Sequence, residues 1–279
     1  MSVKFVIDSA SDLLPREAQA LGVTCIPMKV IFGNQEYADG LDLSQNEFYE
    51  KLAHCQQLPT TCQVPPGDFE KTFASLVAQG HQVIAITLSS GLSGTYQSAM
   101  IAAGEFEGSV FVVDSLSAAV GERILLMRGL ELANQGLSAD RIAATLEQDK
   151  SRIRLVAILD TLENLKKGGR IGAATAFAGG LLAVKPAIKL VDGKVTMAGT
   201  ARGHKKAYGL LKEMIEACGG VNFQMPAAFA YAGDDRLLKG FLQENEDLFA
   251  GNKLPAYGLG CTIGTHVGAG AYGIAFFEK

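Results

Sequence analysis

The feature that most constrains the fold is one stretch in which a strand passes through a short turn into a helix. Residues 84–88 are apolar and rich in isoleucine, which predicts a buried strand. Residues 89–95 form a serine- and glycine-rich turn, and residues 96–103 continue as a helix. Such a helix begins with unpaired backbone N–H groups at the positive end of its dipole. The stretch therefore predicts a site for an anion such as a carboxylate or a phosphate.

Short strands alternate with helices throughout the first half of the chain. Apolar runs predict strands at residues 3–7, 83–88, 110–114 and 155–159. Strands connected by helices pair in parallel, and ligands bind beyond the carboxyl ends of such strands. The residues at these ends include Asp8, Thr87, Asp114 and Asp160. We therefore expect several strand ends to form one site.

The pattern changes from Thr161 onwards. Asp192-Gly193 separates two apolar runs and predicts a β-hairpin, and further helices and strands follow. With 279 residues, the chain has room for two domains. We predict an α/β protein with an N-terminal domain (residues 1–160), built on a mainly parallel sheet flanked by helices. A mixed α/β domain (residues 161–279) follows, with its helices on one face of the sheet, and the ligand site lies between the two.

Composition excludes several classes of function. A net charge of −4 argues against a nucleic-acid partner, which requires a basic stripe. The five cysteines form no CxxC pair and share no spacing with the histidines, so we expect reduced thiols and no metal site. The first residues lack the apolar h-region that is typical of a signal peptide, and no apolar run reaches the ~20 residues of a membrane helix. We therefore expect a cytoplasmic protein. A nucleotide site is disfavoured because no phosphate-binding glycine motif opens a helix.

Three further stretches concentrate polar groups among apolar neighbours. They are residues 59–63 with Thr61, residues 166–172 with Arg170, and residues 261–270, a glycine-rich stretch that we interpret as a loop carrying His266. Each has an ordinary structural explanation: a helix cap, cations at a helix C-terminus and a buried histidine. Their occurrence together with Ser93 in a mainly apolar chain favours a site.

These stretches also carry a family resemblance along nearly the whole chain. The sequence resembles the DegV family, the fatty-acid-binding subunits of bacterial fatty acid kinases. The matching segments are residues 8–12, 60–63, 88–99, 114–115, 162–171, 185–186 and 264–266. The serine-rich turn and the Lys-Lys-Gly-Gly-Arg-Ile segment are the specific ones.

The resemblance implies a protein that is not itself an enzyme and needs no cofactor. It would hold one long-chain fatty acid in an internal tunnel and present the carboxylate to a separate kinase subunit, which makes an acyl phosphate. Transient contact with a membrane surface is compatible with such a role. Carried over by position, the carboxylate ligands would be Thr61, Ser93, the Gly94 backbone, Thr265 and His266. Arg170 would lie near the tunnel mouth, and Arg202 would contact the kinase.

Elementary energetics agree with a lipid carrier. An acyl chain of about fifteen methylenes gains on the order of 10 kcal/mol on burial, before the costs of binding are subtracted. The small apolar residues 173–183 suit the lining of a tunnel. An unpaired carboxylate in that interior would cost several kcal/mol, which hydroxyl, imidazole and helix N–H donors offset. The cations grouped in this acidic chain suit a docking face: Lys166, Lys167, Arg170, Arg202, Lys205 and Lys206.

The alternative interpretation is a serine hydrolase. Ser93, Asp234 and His266 occur in the chain order of α/β-hydrolases, with the serine between a strand and a helix. The turn reads Gly91-Leu-Ser-Gly-Thr95, however, with threonine where the nucleophile motif requires its second glycine. We therefore favour a serine that holds an anion over one that attacks a substrate.

Overall fold

The computed structural model describes residues 2–171, 184–249 and 251–279. The predicted tunnel lining at residues 173–183 lies outside the described residues. The strands are β1 (Val3–Asp8), β2 (Thr24–Ile26), β3 (Lys29–Phe32), β4 (Gln35–Ala38), β5 (Thr60–Cys62), β6 (Gln82–Thr87), β7 (Val110–Asp114), β8 (Ile153–Ile158), β9 (Val184–Val191), β10 (Lys194–Arg202), β11 (Ala227–Tyr231), β12 (Ala256–Gly258) and β13 (Tyr272–Phe277). The helices are α1 (Pro15–Leu21), α2 (Gln45–His54), α3 (Pro66–Ala78), α4 (Thr95–Ala103), α5 (Val120–Asn134), α6 (Ala139–Asp149), α7 (Glu163–Lys167), α8 (His204–Ala217), α9 (Arg236–Glu244) and α10 (Cys261–Val267).

The N-terminal sheet has the order β2-β1-β6-β7, and all of its pairs are parallel. Alternate side chains of β1 face opposite layers: Val6 packs with α3 and α4, whereas Phe5 and Ile7 pack with α5 and α6. Burial on both faces explains why these strands are almost continuous apolar runs. The predicted α/β class and the parallel N-terminal sheet flanked by helices are confirmed.

The second sheet is mixed, as predicted, with the order β10-β9-β8-β13-β11-β12. The parallel pairing predicted for residues 155–159 is wrong, because β8 pairs antiparallel with both β9 and β13. Helices α8 and α9 pack on one face of this sheet. Helix α5 contacts β11 and β13, and its Val120 and Ile124 pack with β-strand residues of the other face. The division of the chain at residue 160 stays a prediction; β8, which it assigns to the N-terminal part, hydrogen-bonds in the second sheet.

A small antiparallel sheet with the order β4-β3-β5 was not predicted. The apolar run at residues 23–32 predicts one strand, but Pro27 and Met28 separate β2 and β3, which lie in different sheets. Proline lacks the N–H that a continuous ladder requires. Strand β5 lies in the polar stretch at residues 59–63, for which no strand was predicted, and it pairs Thr61 with Val30 of β3. This pairing holds Thr61 on an ordered strand.

The hairpin predicted at Asp192-Gly193 is confirmed between β9 and β10. Both turn residues have positive φ, 48° for Asp192 and 72° for Gly193, as a two-residue type I′ turn requires. Within the described ranges, no helix is both long enough and apolar enough to cross a membrane.

Candidate functional site

A cavity of about 390 Å³ lies between the second sheet and loops of the N-terminal half. Its walls are mostly apolar and come from both halves of the chain, for example Met28 and Leu88 from the first, and Ala157, Ile188 and Gly273 from the second. The described lining residues with polar side chains are Thr61, Cys62, Gln63, Ser93, Arg170, Thr262, His266 and Tyr272. A volume of this size is within the range of small-molecule sites, and we call this space the apolar cavity.

The serine loop (residues 88–94), between β6 and α4, is held by the acidic ends of the neighbouring strands. The Asp8 carboxylate accepts from Leu88 N at 2.8 Å, and Asp114 accepts from Ser90 N at 3.1 Å. The Ser89 hydroxyl donates to the carbonyl of Gly193 in the hairpin turn at 2.7 Å. The ends of β1, β6 and β7 therefore gather as expected, but Asp8 and Asp114 fix the loop rather than face the apolar cavity. The fourth predicted strand end does not join them, because Asp160 follows β8 of the second sheet and pairs with Lys185.

Ser93 and Gly94 line the cavity at the start of α4. The Ser93 hydroxyl oxygen lies 3.0 Å from Thr95 Oγ1 and accepts from Thr95 N at 3.3 Å. A Cβ at Gly94 would collide with the side chain of Gln63, so the close approach of these two segments requires glycine here. Gln63 in turn donates to the Ser98 hydroxyl of α4 at 3.0 Å.

His266 meets Thr61 across the chain, with its Nε2 2.9 Å from Thr61 Oγ1. It lies in the last turn of α10, so the interpretation of residues 261–270 as a loop is wrong for its first seven residues. Burial, followed by the positive charge of Arg170, lowers the pKa of His266 to about 4. Its Nδ1 is buried without a hydrogen-bond partner in the part of the chain that the structure describes. At neutral pH this histidine is therefore an uncharged imidazole.

Arg170 connects the serine loop to the end of α7. Its Nε donates to the Leu92 carbonyl at 3.1 Å, and its Nη1 donates to the Gly168 carbonyl at 2.6 Å. Arg170, Thr61 and His266 also line a second cavity of about 530 Å³. The other described lining residues of this second cavity are residues 55–60, Lys167 and Gly168, with no aspartate or glutamate among them. The shared polar residues thus lie between the apolar cavity and a polar, cationic one.

Thr265, predicted as a carboxylate ligand, and Arg202, predicted to contact a kinase, both lie outside the described lining of the apolar cavity. Thr265 is not among the described residues that line the apolar cavity; its hydroxyl donates to the Cys261 carbonyl one turn earlier in α10, at 2.8 Å. Arg202 is exposed at the end of β10, outside the described lining of both cavities. The structure therefore brings together Thr61, Ser93, Gly94, Arg170 and His266 only.

The triad required by the hydrolase alternative is not formed. Asp234 is bound by the guanidinium of Arg236 at 2.8 Å, and this hydrogen bonding lowers the pKa of Asp234. No carboxylate of the described residues hydrogen-bonds His266 Nδ1 to orient the ring. The His266 Nε2 contacts Thr61, and the Ser93 hydroxyl contacts Thr95. Nothing in this geometry activates Ser93 as a nucleophile.

Gln63 and Thr262 are polar lining residues that the site prediction omitted. Thr262 lies four residues before His266, so on a helix both side chains share one face. The interpretation of this segment as a loop concealed that spacing. The Thr262 hydroxyl is buried and has no partner within the described ranges. In the same part of the chain, no group of three or more His, Cys, Asp or Glu side chains is arranged to hold a metal ion.

Comparison with known proteins agrees with this architecture. The model of the DegV family, described as uncharacterised proteins, matches residues 2–279. A DegV domain-containing protein from Deinococcus radiodurans is 35% identical over 279 residues, which cover 99% of this chain and 98% of the relative. The solved structure of a fatty-acid-binding DegV family protein from Thermus thermophilus aligns over 100% of both chains, with a TM-score of 0.92 and 35% identity. DegV from Bacillus subtilis, a fatty acid binding protein, aligns over 100% of both chains, with a TM-score of 0.85 and 29% identity.

The fold and the site together define an α/β protein whose apolar cavity lies between the second sheet and loops of the N-terminal half, and ends at hydroxyl, imidazole and guanidinium groups. The chain belongs to the DegV family. The resemblance inferred from its serine loop and its Lys-Lys-Gly-Gly-Arg-Ile segment is thereby confirmed.

Proposed function

We propose that this protein binds one long-chain fatty acid, with the acyl chain in the apolar cavity and the carboxylate at its polar end. The observation that carries the proposal is the lining itself: apolar walls from the second sheet and from loops of the N-terminal half end at Thr61, Ser93 and His266, beside Arg170. The relatives from Thermus thermophilus and Bacillus subtilis, both described as fatty-acid-binding, support the same ligand class.

The polar end suits a carboxylate for a physical reason. The hydroxyls of Thr61 and Ser93, the N–H groups at the start of α4 and the neutral His266 imidazole can all donate hydrogen bonds. They offset the several kcal/mol that an unpaired carboxylate would cost in an apolar interior. In this proposal Thr265 does not contact the ligand; its hydroxyl instead hydrogen-bonds the Cys261 carbonyl within α10, the helix that carries His266.

The second cavity supports the further proposal that the carboxylate is presented to another protein. Lys167 and Arg170 line it, and acidic residues are missing from its described lining, so an anionic reagent can approach the carboxylate from this side. In this proposal a separate kinase subunit docks near Arg202 and phosphorylates the carboxylate to an acyl phosphate. The chain itself supplies no catalytic group and no cofactor, and it acts in the cytoplasm with transient contact to a membrane surface.

The test of the ligand class begins with mass spectrometry of lipid extracted from the purified protein. After delipidation, calorimetric titrations compare palmitate with hexadecan-1-ol, which retains the chain but lacks the carboxylate. We expect a co-purified long-chain fatty acid and a markedly higher affinity for palmitate. Equal affinities would contradict the assigned carboxylate site, and failure to bind either ligand would contradict the proposal as a whole.

A further inference from the structure

We propose that Asp39 is a positioning residue for His266: it fixes the start of α10 against the N-terminal half, so that the imidazole in the last turn meets Thr61. The predicted effect on lipid affinity rests on the proposed function, whereas the effect on His266 itself does not. The proposal concerns a residue outside the ligand cavity, because Asp39 is not among the described residues that line it.

Asp39 accepts hydrogen bonds from the first turn of α10 with both of its carboxylate oxygens. Its Oδ1 accepts from Cys261 N at 3.0 Å, and its Oδ2 accepts from Thr262 N at 3.0 Å. Asp12 accepts from Gly260 N at 2.6 Å beside it. Carboxylates at a helix N-terminus pair with otherwise unsatisfied N–H groups and complement the helix dipole. Three consecutive N–H groups from late in the chain are thus held by two acidic residues from early in the chain.

Asp39 is itself held in place by hydrogen bonds to the N-terminal half, so it can fix the position of the helix that it caps. Its Oδ2 also accepts from the Ser9 hydroxyl at 3.2 Å, and Ser9 Oγ accepts from Met28 N at 2.9 Å. The backbone N–H of Asp39 donates to the Met28 carbonyl at 2.9 Å. Asp39 is only 5% exposed, so most of the surface of its side chain is shielded from water. The segment between β2 and β3 therefore fixes Asp39 from two sides.

Helix α10 depends on such anchoring because it has only seven residues. A helix this short has no stability of its own, so its placement is set by tertiary contacts. At a rise of about 1.5 Å per residue, His266 lies roughly 7.5 Å along the axis from Cys261. Gly264, between them, packs so closely against α2 that a Cβ would lie 2.6 Å from Phe48. That packing presses the helix against α2, and Asp39 fixes its start.

The test compares Asp39→Asn with Asp42→Asn in the delipidated full-length protein. Asp42 is the matched control, because its carboxylate caps Ala38 N in the same segment without contacting α10. The first readout is the NMR titration of His266, assigned among the four histidines by its loss in His266→Gln. In Asp39→Asn the new amide provides only one acceptor oxygen, so we expect the start of α10 to loosen and the His266 pKa to rise towards its ordinary value of about 6.5.

The second readout is palmitate affinity, which we expect to fall roughly tenfold in Asp39→Asn and to stay unchanged in Asp42→Asn. Ser9→Ala, which removes one contact to Asp39 and keeps both carboxylate oxygens, provides a milder variant if Asp39→Asn does not fold. We expect an intermediate shift of the His266 pKa in this variant. An unchanged His266 titration in a folded Asp39→Asn protein would overturn the positioning role, as would an equal shift in Asp42→Asn. A wild-type protein that binds no palmitate would count against the proposed function alone, since the titration still reports on the position of His266.

Discussion

Ser93 and His266 reach the same end of the apolar cavity from different halves of the chain, and neither is arranged for nucleophilic chemistry. The Ser93 hydroxyl pairs with Thr95, and the His266 imidazole pairs with Thr61. A carrier needs hydrogen-bond donors that hold an anion without reacting with it. The geometry of these two residues suits that requirement.

Replacing Ser93 with alanine tests the holding role. We expect Ser93→Ala to weaken palmitate binding by about 10- to 100-fold, the effect of losing one hydrogen bond to a charged group. Because the side chain is small and half-buried, the melting temperature of the delipidated protein should change little. Ser90→Ala is the control, since Ser90 is exposed in the same loop and lies outside the described cavity lining. Unchanged affinity in Ser93→Ala would exclude a direct contact with the carboxylate.

The neutral state of His266 gives the folding stability a defined pH dependence. Its pKa is about 4 in the folded protein and about 6.5 in the unfolded chain, so between these values the unfolded chain binds more protons. The contribution of the neutral His266 side chain to the free energy of unfolding is therefore fully present above about pH 6.5 and is lost as the pH falls towards 4.

We expect the free energy of unfolding of the wild type to fall by about 2 kcal/mol more than that of His266→Gln between pH 7 and pH 5. Denaturant titrations of both delipidated proteins at the two pH values measure this difference. Burial raises the pKa of Asp8 to about 7, which acts in the opposite direction but cancels because both proteins contain Asp8. Parallel pH profiles would show that His266 is not desolvated in the folded state.

Single residues were predictable where the local pattern was sufficient. Thr61, Ser93, Arg170 and His266 are four polar residues in mainly apolar surroundings, and the structure brings them together. The prediction that Thr265 contacts the carboxylate was weaker, because the direction of its side chain depends on whether its segment is a helix or a loop. In a helix, Thr265 faces away from the cavity that His266 and Thr262 line. The four-residue spacing of Thr262 and His266 is visible in the sequence, but the many glycines around these residues favoured a loop.

At the level of elements, structures that depend on local signals could be predicted from the sequence, whereas pairing between distant strands could not. The hairpin of β9 and β10 depends on two adjacent turn residues and was predicted correctly. Strand β8 has the same apolar character as the parallel strands, but its partner β13 lies more than a hundred residues later. Periodicity cannot specify such a pairing. The small sheet of β3, β4 and β5 was not predicted, because β5 is only three residues long and such a short strand has no recognisable hydrophobic pattern.

The hairpin turn also supports the serine loop, which gives an element-scale prediction for Gly193→Ala. Gly193 has φ of 72°, and an added Cβ would collide with the Ser89 hydroxyl. We expect a loss of about 2–4 kcal/mol in unfolding free energy, from backbone strain plus the displaced contact. Gly33→Ala is the control: Gly33 has φ of 59°, follows β3 directly, and its added Cβ would meet nothing within 4 Å.

We expect Gly33→Ala to lower the free energy of unfolding by only about 1 kcal/mol, because it introduces backbone strain without a collision. Chemical denaturation of both variants gives the two losses. Palmitate affinity should fall only in Gly193→Ala, because only that turn contacts the serine loop. Equal losses of stability in the two variants would mean that the contact between Gly193 and Ser89 contributes nothing.

At the scale of the whole molecule, one part of the proposed docking face, Arg202 with Lys205 and Lys206, lies outside the described lining of both cavities, whereas Arg170 lines the apolar cavity itself. Arg202 is exposed at the end of β10, and Lys205 and Lys206 are exposed in the first turn of α8. These three cations form a small basic patch on a chain of net charge −4. Such a patch can steer an acidic partner without contributing to the cavity.

Charge reversal at this patch separates the two proposed roles. We expect Arg202→Glu to leave palmitate affinity and melting temperature unchanged, because the side chain is exposed and outside the described cavity lining. Acyl phosphate formation with a fatty acid kinase subunit should fall at least tenfold, since rim charges govern association. The control Arg236→Glu reverses an exposed charge at the start of α9. Loss of lipid binding together with phosphorylation would indicate misfolding instead of a docking defect.

The apolar cavity draws its walls from both halves of the chain, and this has a thermodynamic consequence. Neither half alone presents the complete set of walls, so under the proposed function the unfolding of either half would release the bound fatty acid. By mass action, a ligand present at about a hundred times its dissociation constant raises the free energy of unfolding by about 2.7 kcal/mol. The supply of lipid would then set the lifetime of the protein as well as its occupancy. A cell depleted of lipid would hold a pool of empty carriers that unfold, and are degraded, more readily than loaded ones.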